Sequence, residues 1–493
     1  MKRFSFLTIL VLLGLVFSTS AFAPPAQTPE PTAGPKPFEG LTLKISSIAD
    51  AYASVFRGKE ADISSQLGLR MEFDNTPPQD AYNKDMLDFA AGTPTHDIVL
   101  FEPAWLADYA PYLEPIENLA KQFNLDYKLD DVSPLFKLTY MQWNGVIYTV
   151  PFDGDQHVLF YNTDAFNSEK NKADFKAQFG YDLVPPDTWD QYADMAKFFS
   201  GRDWAGTGKP GYGAAEAWQR GGYAFWWWAD KFLAYGGVWF DENMKPLINS
   251  PAGVKALENT LAIKPYVPPG TANFGYPELE NSFIKGDIPM VIQWTSTGKS
   301  AMDPTMSLIV GKVGAKLSPG VKRPDGSIFR RPGLPTGWVA GIPKDSPNKE
   351  AAARVLAIIS QPDWALHVAL LPTTYVDPWR QSSFSSPQFA NQWPAFPDFS
   401  KQFAEALSKT AETGCPDLQV PGTFEYWNAA DTEISAAIAG NKTAQQALDD
   451  AAAEWDNITQ RLGADKQKVA WNLEYDQMKK LSIKYEPDVA LGK

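Results

Sequence analysis

Two carboxylates, an amide and an imidazole lie within five positions of this chain, at Asp153, Asp155, Gln156 and His157. The two aspartates could act as acid and base in glycoside cleavage, but that reaction needs a carboxyl separation that sequence does not give. The same groups could accept hydrogen bonds from sugar hydroxyls. They could also cap the next segment or face water. We favour ligand binding over the structural role, and both over catalysis.

Two β-type runs flank this polar group. Asn144-Gly145 tolerates positive φ and predicts a tight hairpin turn before the β-branched run at 146–150. We expect Pro151 to end that run, and the apolar run at 158–161 follows the polar residues. The pattern predicts a crossover between two bodies, with a site in the gap.

The length of 493 residues predicts two domains or lobes. Lys2 and Arg3 precede an apolar run at 7–17 and a small-x-small pattern at 21–23, which predicts a secretory signal peptide over residues 1–23. We therefore expect a periplasmic protein, and no lipid anchor, because no cysteine lies near the cleavage site. Residues 24–37 are proline-rich and predict a disordered lead-in.

Charge and cysteine content exclude several classes. Removing the leader lowers the formal net charge from −14 to −16, which argues against nucleic acid and anionic membrane surfaces as partners. The single cysteine, Cys415, is expected to be buried and inert. The three histidines have neither metal spacing nor a nearby cysteine, so we expect no metal and no cofactor.

The first part of the chain alternates strands with helices. We predict strands at 41–45, 69–73 and 97–101 and helices at 53–67 and 79–91. This order is typical of a doubly wound α/β layer, in which ligands bind beyond the carboxyl ends of strands. Glu102 follows the third strand and sits at such an end.

The second part predicts another α/β body. We expect strands at 288–293, 311–317 and 338–342, long loops at 201–222 and 318–336, and helices at 188–199 with Asp187 as its cap, 223–235, 251–263, 278–285, 347–360 and 444–458.

Seventeen tryptophans are more than a core requires. Trp226, Trp227 and Trp228 are consecutive, and neither a helix nor a strand buries three neighbours on one face, so we expect at least one to face a cavity. Trp226, Trp294, Trp338 and Trp427 are the cavity candidates, and Tyr276 is a weaker one.

Five segments resemble a known family when they are taken in order. They are 89–99, 148–164, 283–294, 337–350 and 426–443. On these segments the chain resembles the family 1 extracellular solute-binding proteins, the periplasmic sugar receptors of ABC importers that include maltose-binding protein.

The resemblance implies a type II periplasmic-binding-protein fold, with two discontinuous α/β lobes joined by hinge crossovers. It assigns residues 38–152 and 319–360 to lobe 1 and residues 153–318 and 361–493 to lobe 2. It also implies a site lined by Ser46, Ser47, Phe101, Glu102, Asp153, Asp155, Trp226, Trp294 and Trp427.

The resulting hypothesis is a monomeric receptor that captures a neutral sugar or polyol, with Gln156 and Trp338 added to the site, and delivers it to a membrane permease without chemistry. A receptor for an anionic derivative is the alternative, with Arg220, Lys299, Arg330 and Arg331 as available cations. A glycoside hydrolase using Asp153 and Asp155 is the rival from another class.

Overall fold

The computed structural model describes residues 36–48, 50–334, 336–372 and 374–481. The predicted signal peptide and residues 24–35 of the predicted lead-in lie outside these ranges. Lys36 donates a hydrogen bond from Nζ to the Ser64 carbonyl at 2.9 Å, so the chain already packs against the fold there. Within the described ranges, no helix is long and apolar enough to cross a membrane.

The strands of the described ranges are β1 (Thr42–Ser47), β2 (Arg70–Asn75), β3 (Ile98–Phe101), β4 (Gln142–Trp143), β5 (Val146–Ile147), β6 (Thr149–Asp153), β7 (His157–Asn162), β8 (Met290–Trp294), β9 (Val313–Leu317), β10 (Val321–Lys322), β11 (Ile328–Phe329), β12 (Gly333–Leu334), β13 (Trp338–Gly341) and β14 (Cys415–Pro416).

The α-helices are α1 (Asp50–Arg57), α2 (Glu60–Leu67), α3 (Pro78–Ala91), α4 (Leu106–Tyr109), α5 (Ile116–Phe123), α6 (Pro134–Tyr140), α7 (Thr163–Asn167), α8 (Glu169–Phe179), α9 (Trp189–Phe199), α10 (Tyr223–Ala234), α11 (Pro251–Ile263), α12 (Tyr276–Ile284), α13 (Ser296–Met302), α14 (Lys349–Ile359), α15 (Pro362–Leu370), α16 (Gln381–Phe384), α17 (Pro387–Ala390), α18 (Pro397–Thr413), α19 (Thr423–Ala439), α20 (Ala444–Leu462) and α21 (Ala464–Lys480).

A five-stranded sheet in the order β2-β1-β3-β13-β6 organises the first lobe. β1 is parallel to β2 and β3, whereas β13 is antiparallel to β3 and β6. Each residue of β3 is buried, as expected for an apolar strand inside a covered sheet. Helix α14 packs against α2 and α5 on this lobe.

A three-stranded antiparallel sheet in the order β8-β7-β9 organises the second lobe. β7 is its central strand and pairs with both neighbours. Helix α18 packs against β9 and β7, and α10, α11, α19 and α20 pack on one another. The α/β prediction with two bodies is therefore confirmed.

Within the described ranges the chain passes between the two lobes three times. The first passage, residues 154–156, joins β6 to β7, and the second, residues 318–337, joins β9 to β13. The third, residues 360–396, leads from α14 to α18. The lobes are therefore discontinuous along the chain, as the resemblance implies.

Most of the second passage contacts the second lobe. Gly320 forms a bridge with Thr188, and the Gly333 amide donates to Asp230 Oδ1 at 3.0 Å. The first sheet is rejoined at Trp338, where β13 begins. The lobe boundaries at 152, 318 and 360 stay a prediction.

Two helix predictions are wrong, one in its continuity and one in its N-terminal cap. The predicted helix at 53–67 is divided into α1 and α2 at Gly58, where an added Cβ would lie 2.8 Å from the Trp364 ring. Thr188 rather than Asp187 caps α9, because its hydroxyl accepts from the Gln191 amide at 3.2 Å. Gln191 Oε1 accepts in return from the Thr188 amide at 3.1 Å, which completes a capping box.

The hairpin prediction is confirmed, but the β-type run predicted at 146–150 is divided at Tyr148 into β5 and β6. Asn144 and Gly145 have φ values of 50° and 77°, and β4 pairs with β5 across them. Pro151 does not end the run, because β6 extends from Thr149 to Asp153. β6 is an edge strand of the first sheet, and an edge tolerates the missing N–H of a proline.

The tryptophan triplet lies in α10, which is buried on all sides. Trp226 is 9% exposed, and Trp227 and Trp228 are 1% and 0% exposed. The helix can bury all three because α11, α19 and β12 surround it. Trp226 lines a cavity, which confirms the expectation that one of the three would.

The single cysteine is buried, as predicted. Cys415 lies in β14, which pairs with β12. Burial raises the pKa of its thiol to about 12, so the group stays protonated near neutral pH. A protonated, buried thiol is unreactive.

Candidate functional site

A cavity of about 200 Å³ lies between the two lobes, and we call it the first cavity. Seven of its lining residues are aromatic, two are acidic and two carry hydroxyls on short side chains. The lining consists of Ile48, Tyr52, Glu102, Asp155, Tyr223, Trp226, Tyr276, Trp294, Ser296, Thr336, Trp338 and Tyr375.

The seven aromatic residues form a connected row, which we call the aromatic belt. Tyr52 contacts Trp338 and Tyr375 with ring centroids 5.0 and 6.3 Å apart. Tyr276 continues the row, at 5.7 Å from both Tyr375 and Trp294.

The belt ends on α10 of the second lobe. Trp294 lies 6.1 Å from both Tyr223 and Trp226, measured between ring centroids. The row therefore runs from the first sheet to the second without a gap, and it presents ring faces and edges to the same cavity.

Strand ends place the two halves of the belt next to each other. Trp338 begins β13 opposite Asp153, the last residue of β6. Trp294 ends β8 opposite His157, the first residue of β7. Only three residues separate Asp153 from His157, so the short first passage brings both tryptophans to one place, with Asp155 between them.

Glu102 follows the end of β3, where the sequence places it. It is 3% exposed and lines the first cavity. Within the described ranges its Oε2 has no hydrogen-bond partner. Burial raises the pKa of Glu102 well above its ordinary value, and the nearby charges of Asp417 and Asp155 raise it further.

A second cavity of about 210 Å³ adjoins the first and shares Glu102, Tyr223 and Trp226 with it. Phe424, Trp427 and Asn428 of α19 are among its other lining residues. The rings of Trp226 and Trp427 are 5.6 Å apart. Trp427 therefore extends the aromatic lining beyond the belt, but into the second cavity and not the first.

Three carboxylates lie together where the passages meet, and we call Asp153, Asp155 and Asp377 the hinge carboxylates. Their oxygens lie within 4.8 Å of one another, and all three side chains are buried. Asp155 Oδ2 accepts from Thr336 Oγ1 at 2.9 Å and from the Gly337 amide at 3.2 Å. Asp155 thereby ties the first passage to the second.

The third passage is tied to the first by the other two carboxylates. Asp153 Oδ1 accepts from the Asp377 amide at 2.7 Å, and the Gly154 amide donates to the Asp377 carbonyl at 3.2 Å. Asp377 Oδ2 accepts from the hydroxyl of Thr295, which directly follows β8. All three passages are therefore held at one point.

Close approach at this point requires glycine. A Cβ added to Gly154 would lie 2.5 Å from the Pro378 carbonyl oxygen. Gly337 has a φ of +87°, and a Cβ there would lie 2.3 Å from the Tyr140 hydroxyl. A side chain at either position would separate the passages.

Burial raises the pKa of each hinge carboxylate. For Asp153 and Asp155 the rise is large, and their negative neighbours add to it. The pKa of Asp377 rises to about 6 through burial, while Lys299 opposes the rise. Three like charges this close in a dry site cannot all ionise, so the group holds protons near neutral pH.

Lys299 is the cation whose charge acts on the hinge carboxylates. It is buried, and its Nζ donates to the Val376 carbonyl at 2.6 Å and to the Thr374 carbonyl at 3.3 Å. It therefore supports the third passage from beneath. The three carboxyl groups are also the described residues placed closely enough to hold a metal ion, and the absence of a metal stays a prediction.

The predicted site residues fall into two groups. Glu102, Asp155, Trp226, Trp294 and Trp338 line the first cavity, and Trp427 lines the second. The remaining ones line neither cavity, and their assignment stays a prediction: Ser46, Ser47, Phe101, Asp153 and Gln156.

Sequence reasoning missed the tyrosines of the belt other than Tyr276, and it missed Asp377. Tyr52 and Tyr223 lie in amphipathic or apolar helices, where tyrosine is ordinary in a core. Tyr375 and Asp377 lie in an irregular stretch with no periodicity. The Pro378-Trp379 pair beside Asp377 was the available signal that this stretch turns and packs.

Comparison with known proteins identifies related chains. The sequence profile of the family described as bacterial extracellular solute-binding protein matches residues 68–365. A probable amino-acid ABC transporter periplasmic-binding protein of Sinorhizobium fredii is 25% identical over 472 residues, which cover 94% of this chain and 99% of the relative.

Solved structures show the same fold. An ABC transporter solute-binding protein of Agrobacterium radiobacter K84 in complex with ribitol matches with a TM-score of 0.72 and 24% identity, covering 86% of this chain and 100% of the other. Maltose-bound MalE3 of T. maritima matches with a TM-score of 0.69 and 22% identity, covering 85% and 100%. Both alignments span the complete chain of the related structure, so both lobes are shared.

Proposed function

Since this chain belongs to the bacterial extracellular solute-binding protein family, we propose that it captures a sugar or polyol and delivers it to an ABC importer. The aromatic belt beside two buried carboxyl groups carries the proposal. Ring faces pack on the C–H surfaces of such ligands, and carboxyl groups form hydrogen bonds with their hydroxyls. The ribitol and maltose bound to the two structural relatives support the same ligand class.

Binding takes place in the first cavity. Trp294 and Trp338 come from different lobes, so a ligand between them bridges both sheets and favours the closed arrangement. Asp155 contacts the ligand from the first passage, and Glu102 from the end of β3. Closure excludes water and strengthens each polar contact. The second cavity accepts an additional unit of a disaccharide or small glycoside, with Trp427 as its stacking surface.

An anionic ligand is the less favoured alternative. Among the described residues, no lysine, arginine or histidine lines either cavity. Arg220 bonds Thr432 at 2.7 Å, Arg330 pairs with Asp187, and Arg331 donates to the Leu233 carbonyl at 3.0 Å. The same lack of cations disfavours an α-amino acid, whose carboxylate would be unpaired, despite the printed name of the Sinorhizobium relative.

The positions of Asp153 and Asp155 argue against a glycoside hydrolase. Asp155 lines the first cavity, but Asp153 lines neither cavity and accepts a hydrogen bond from the protein backbone. Two catalytic carboxyl groups must both reach the scissile bond. We therefore propose transport without catalysis, by a monomer exported to the periplasm whose protein partner is the importer's permease.

A thermal-shift screen with sugars, polyols and amino acids tests this function, followed by calorimetry on each compound that stabilises the protein. We expect stabilisation by sugars or polyols and no turnover of aryl glycosides. A receptor that responds to amino acids alone, or that hydrolyses a glycoside, would overturn the proposal.

A further inference from the structure

The two cavities carry acidic groups, and among the described residues no lysine, arginine or histidine lines either cavity. Glu102 and Asp155 are 3% and 4% exposed and line the first cavity, and Glu102 also lines the second. Lys299 lies beneath the hinge carboxylates and donates to backbone carbonyls. A buried carboxylate without a partner cation is costly, so each of these groups favours its neutral form and releases its proton more readily beside a ligand cation.

Two of the hydrogen-bond donors at the first cavity are already in use. The Tyr276 hydroxyl donates to Glu280 at 2.6 Å, and the Thr336 hydroxyl donates to Asp155 at 2.9 Å. Neither a lysine nor an arginine lines the cavity, and neither does an asparagine or glutamine, among the described residues. Glu102 Oε2 lacks a partner and is a free acceptor. The cavity therefore favours a ligand rich in donors.

The aromatic belt adds attraction for positive charge. Its seven rings each carry a negative π face, and neighbouring centroids are 5.0 to 6.3 Å apart. Cations bind such faces, and the attraction grows when water is excluded. Hydroxyl ligands use the same rings through C–H contact and form hydrogen bonds with the carboxyl groups, but they bring no positive charge to pair with them.

We propose that the ligand carries a primary ammonium group, as an amino sugar or an amino polyol does, and that Glu102 pairs with that group in the aromatic belt. An ammonium supplies three donors and no acceptor, which matches the free acceptor at Glu102. Its charge makes that contact a charge-assisted hydrogen bond. This inference rests on the proposed sugar or polyol function and narrows its ligand class.

Matched probes that differ in one group test the inference by calorimetry at neutral pH. The pairs are D-glucosamine with D-glucose and 1-amino-1-deoxy-D-sorbitol with D-sorbitol, and N-acetyl-D-glucosamine is the uncharged control. We expect the ammonium member of a pair to bind about tenfold more tightly or better than its hydroxyl counterpart.

The Glu102→Gln variant shows whether the carboxyl group causes the preference. It keeps the shape of the side chain, so we expect it to remove most of the ammonium preference, with a larger loss of affinity for each ammonium probe than for its hydroxyl counterpart. Glu474→Gln is the matched control, because Glu474 is also buried but lines neither cavity. It should keep the preference.

The outcomes separate the inference from the function. Equal or tighter binding of the hydroxyl probes to the unmodified protein overturns the ammonium inference and leaves the sugar or polyol function in place. Binding of methylammonium with no binding of either sugar series supports the cation site and overturns the sugar function. If none of these probes binds, both the ammonium inference and the sugar or polyol function are overturned.

Discussion

The aromatic belt and the hinge carboxylates meet at the same place but are built in opposite ways. The belt is a chain of rings that come from two strands, three helices and the third passage, and neighbouring members contact one another through their rings. The hinge carboxylates are three carboxyl groups fixed by specific backbone and hydroxyl donors, with glycine at the points of closest approach. Asp155 belongs to the second group and also lines the first cavity.

This difference assigns separate tasks to the two regions. A belt of rings can accept ligands of several shapes, because stacking does not require a fixed hydrogen-bond pattern. The hinge carboxylates fix how the passages are arranged, and their raised pKa values make that arrangement sensitive to protons. Variants in the belt should therefore change affinity, and variants in the hinge carboxylates should change stability and its pH dependence.

Trp294→Ala should have the largest effect. Trp294 contacts five other rings that include Tyr276 and Trp226, and its removal opens the centre of the belt. We expect sugar affinity to fall by about 100-fold or more, equal to about 3 kcal/mol. Calorimetry on the folded variant measures this. Trp364→Ala is the control, because Trp364 is similarly buried but lines neither cavity. Unchanged affinity in Trp294→Ala would contradict the role of the belt in ligand binding.

Asp155→Ala should have the next largest effect, because Asp155 belongs to both regions. It removes a ligand contact and the two hydrogen bonds to the second passage. We expect affinity to fall by about 10- to 100-fold, since leaving a buried hydrogen-bonding group without its partner costs about 1–3 kcal/mol. The melting temperature should fall as well. A loss of affinity with no loss of stability would show that Asp155 does not tie the passages.

Trp427→Ala tests whether the second cavity is a separate part of the site. Trp427 lines that cavity only, so we expect monosaccharide affinity to change by less than about threefold and disaccharide affinity to fall about tenfold. Calorimetry with ligands of both lengths measures the two effects. Equal losses of affinity for both ligands would show that the second cavity is not a separate part of the site.

Asp377→Asn should have the smallest effect and should act on stability. Burial raises the pKa of Asp377 from 3.8 to about 6, so the folded protein binds a proton more tightly than the unfolded chain. The stability this contributes is complete below about pH 4 and is lost as pH rises through about 6. Its limit is about 3 kcal/mol, from about 1.4 kcal/mol per pKa unit.

The asparagine variant cannot titrate, so it should lose less stability between pH 4 and 7 than the unmodified protein, as a difference of a few degrees in melting temperature. Asp153→Asn should act in the same direction, because the pKa of Asp153 is also raised. If the melting temperatures of all three proteins changed with pH in parallel, the hinge carboxylates would not be a proton-sensitive group.

Local rules predicted the parts of the fold that local chemistry decides. Asn144 and Gly145 accept positive φ, so the hairpin followed from their types. The end of β6 did not follow, because Pro151 is tolerated only at a sheet edge and the sequence does not show which strand is at the edge. Thr188 and Asp187 are both good caps, and only the position of Gln191 decides between them.

The candidate site was predictable where residue type was unusual. Three adjacent tryptophans had to include one outside a simple core face, and Trp226 is that residue. Tyr52 and Tyr375 could not be found in this way, since tyrosine is common in cores and at surfaces alike. Ser46 and Ser47 were proposed through resemblance, and the structure places Ser46 Oγ 3.5 Å from Asp85 and away from both cavities.

The burial of Cys415 makes the protein suitable for selective labelling. Because its only thiol is inaccessible and protonated, thiol reagents will not modify the unaltered chain. A cysteine introduced at the cavity mouth would then be the single reactive position. Tyr375 is such a place, since it is 41% exposed and lines the first cavity. A dye attached there would report ligand entry as a change in emission.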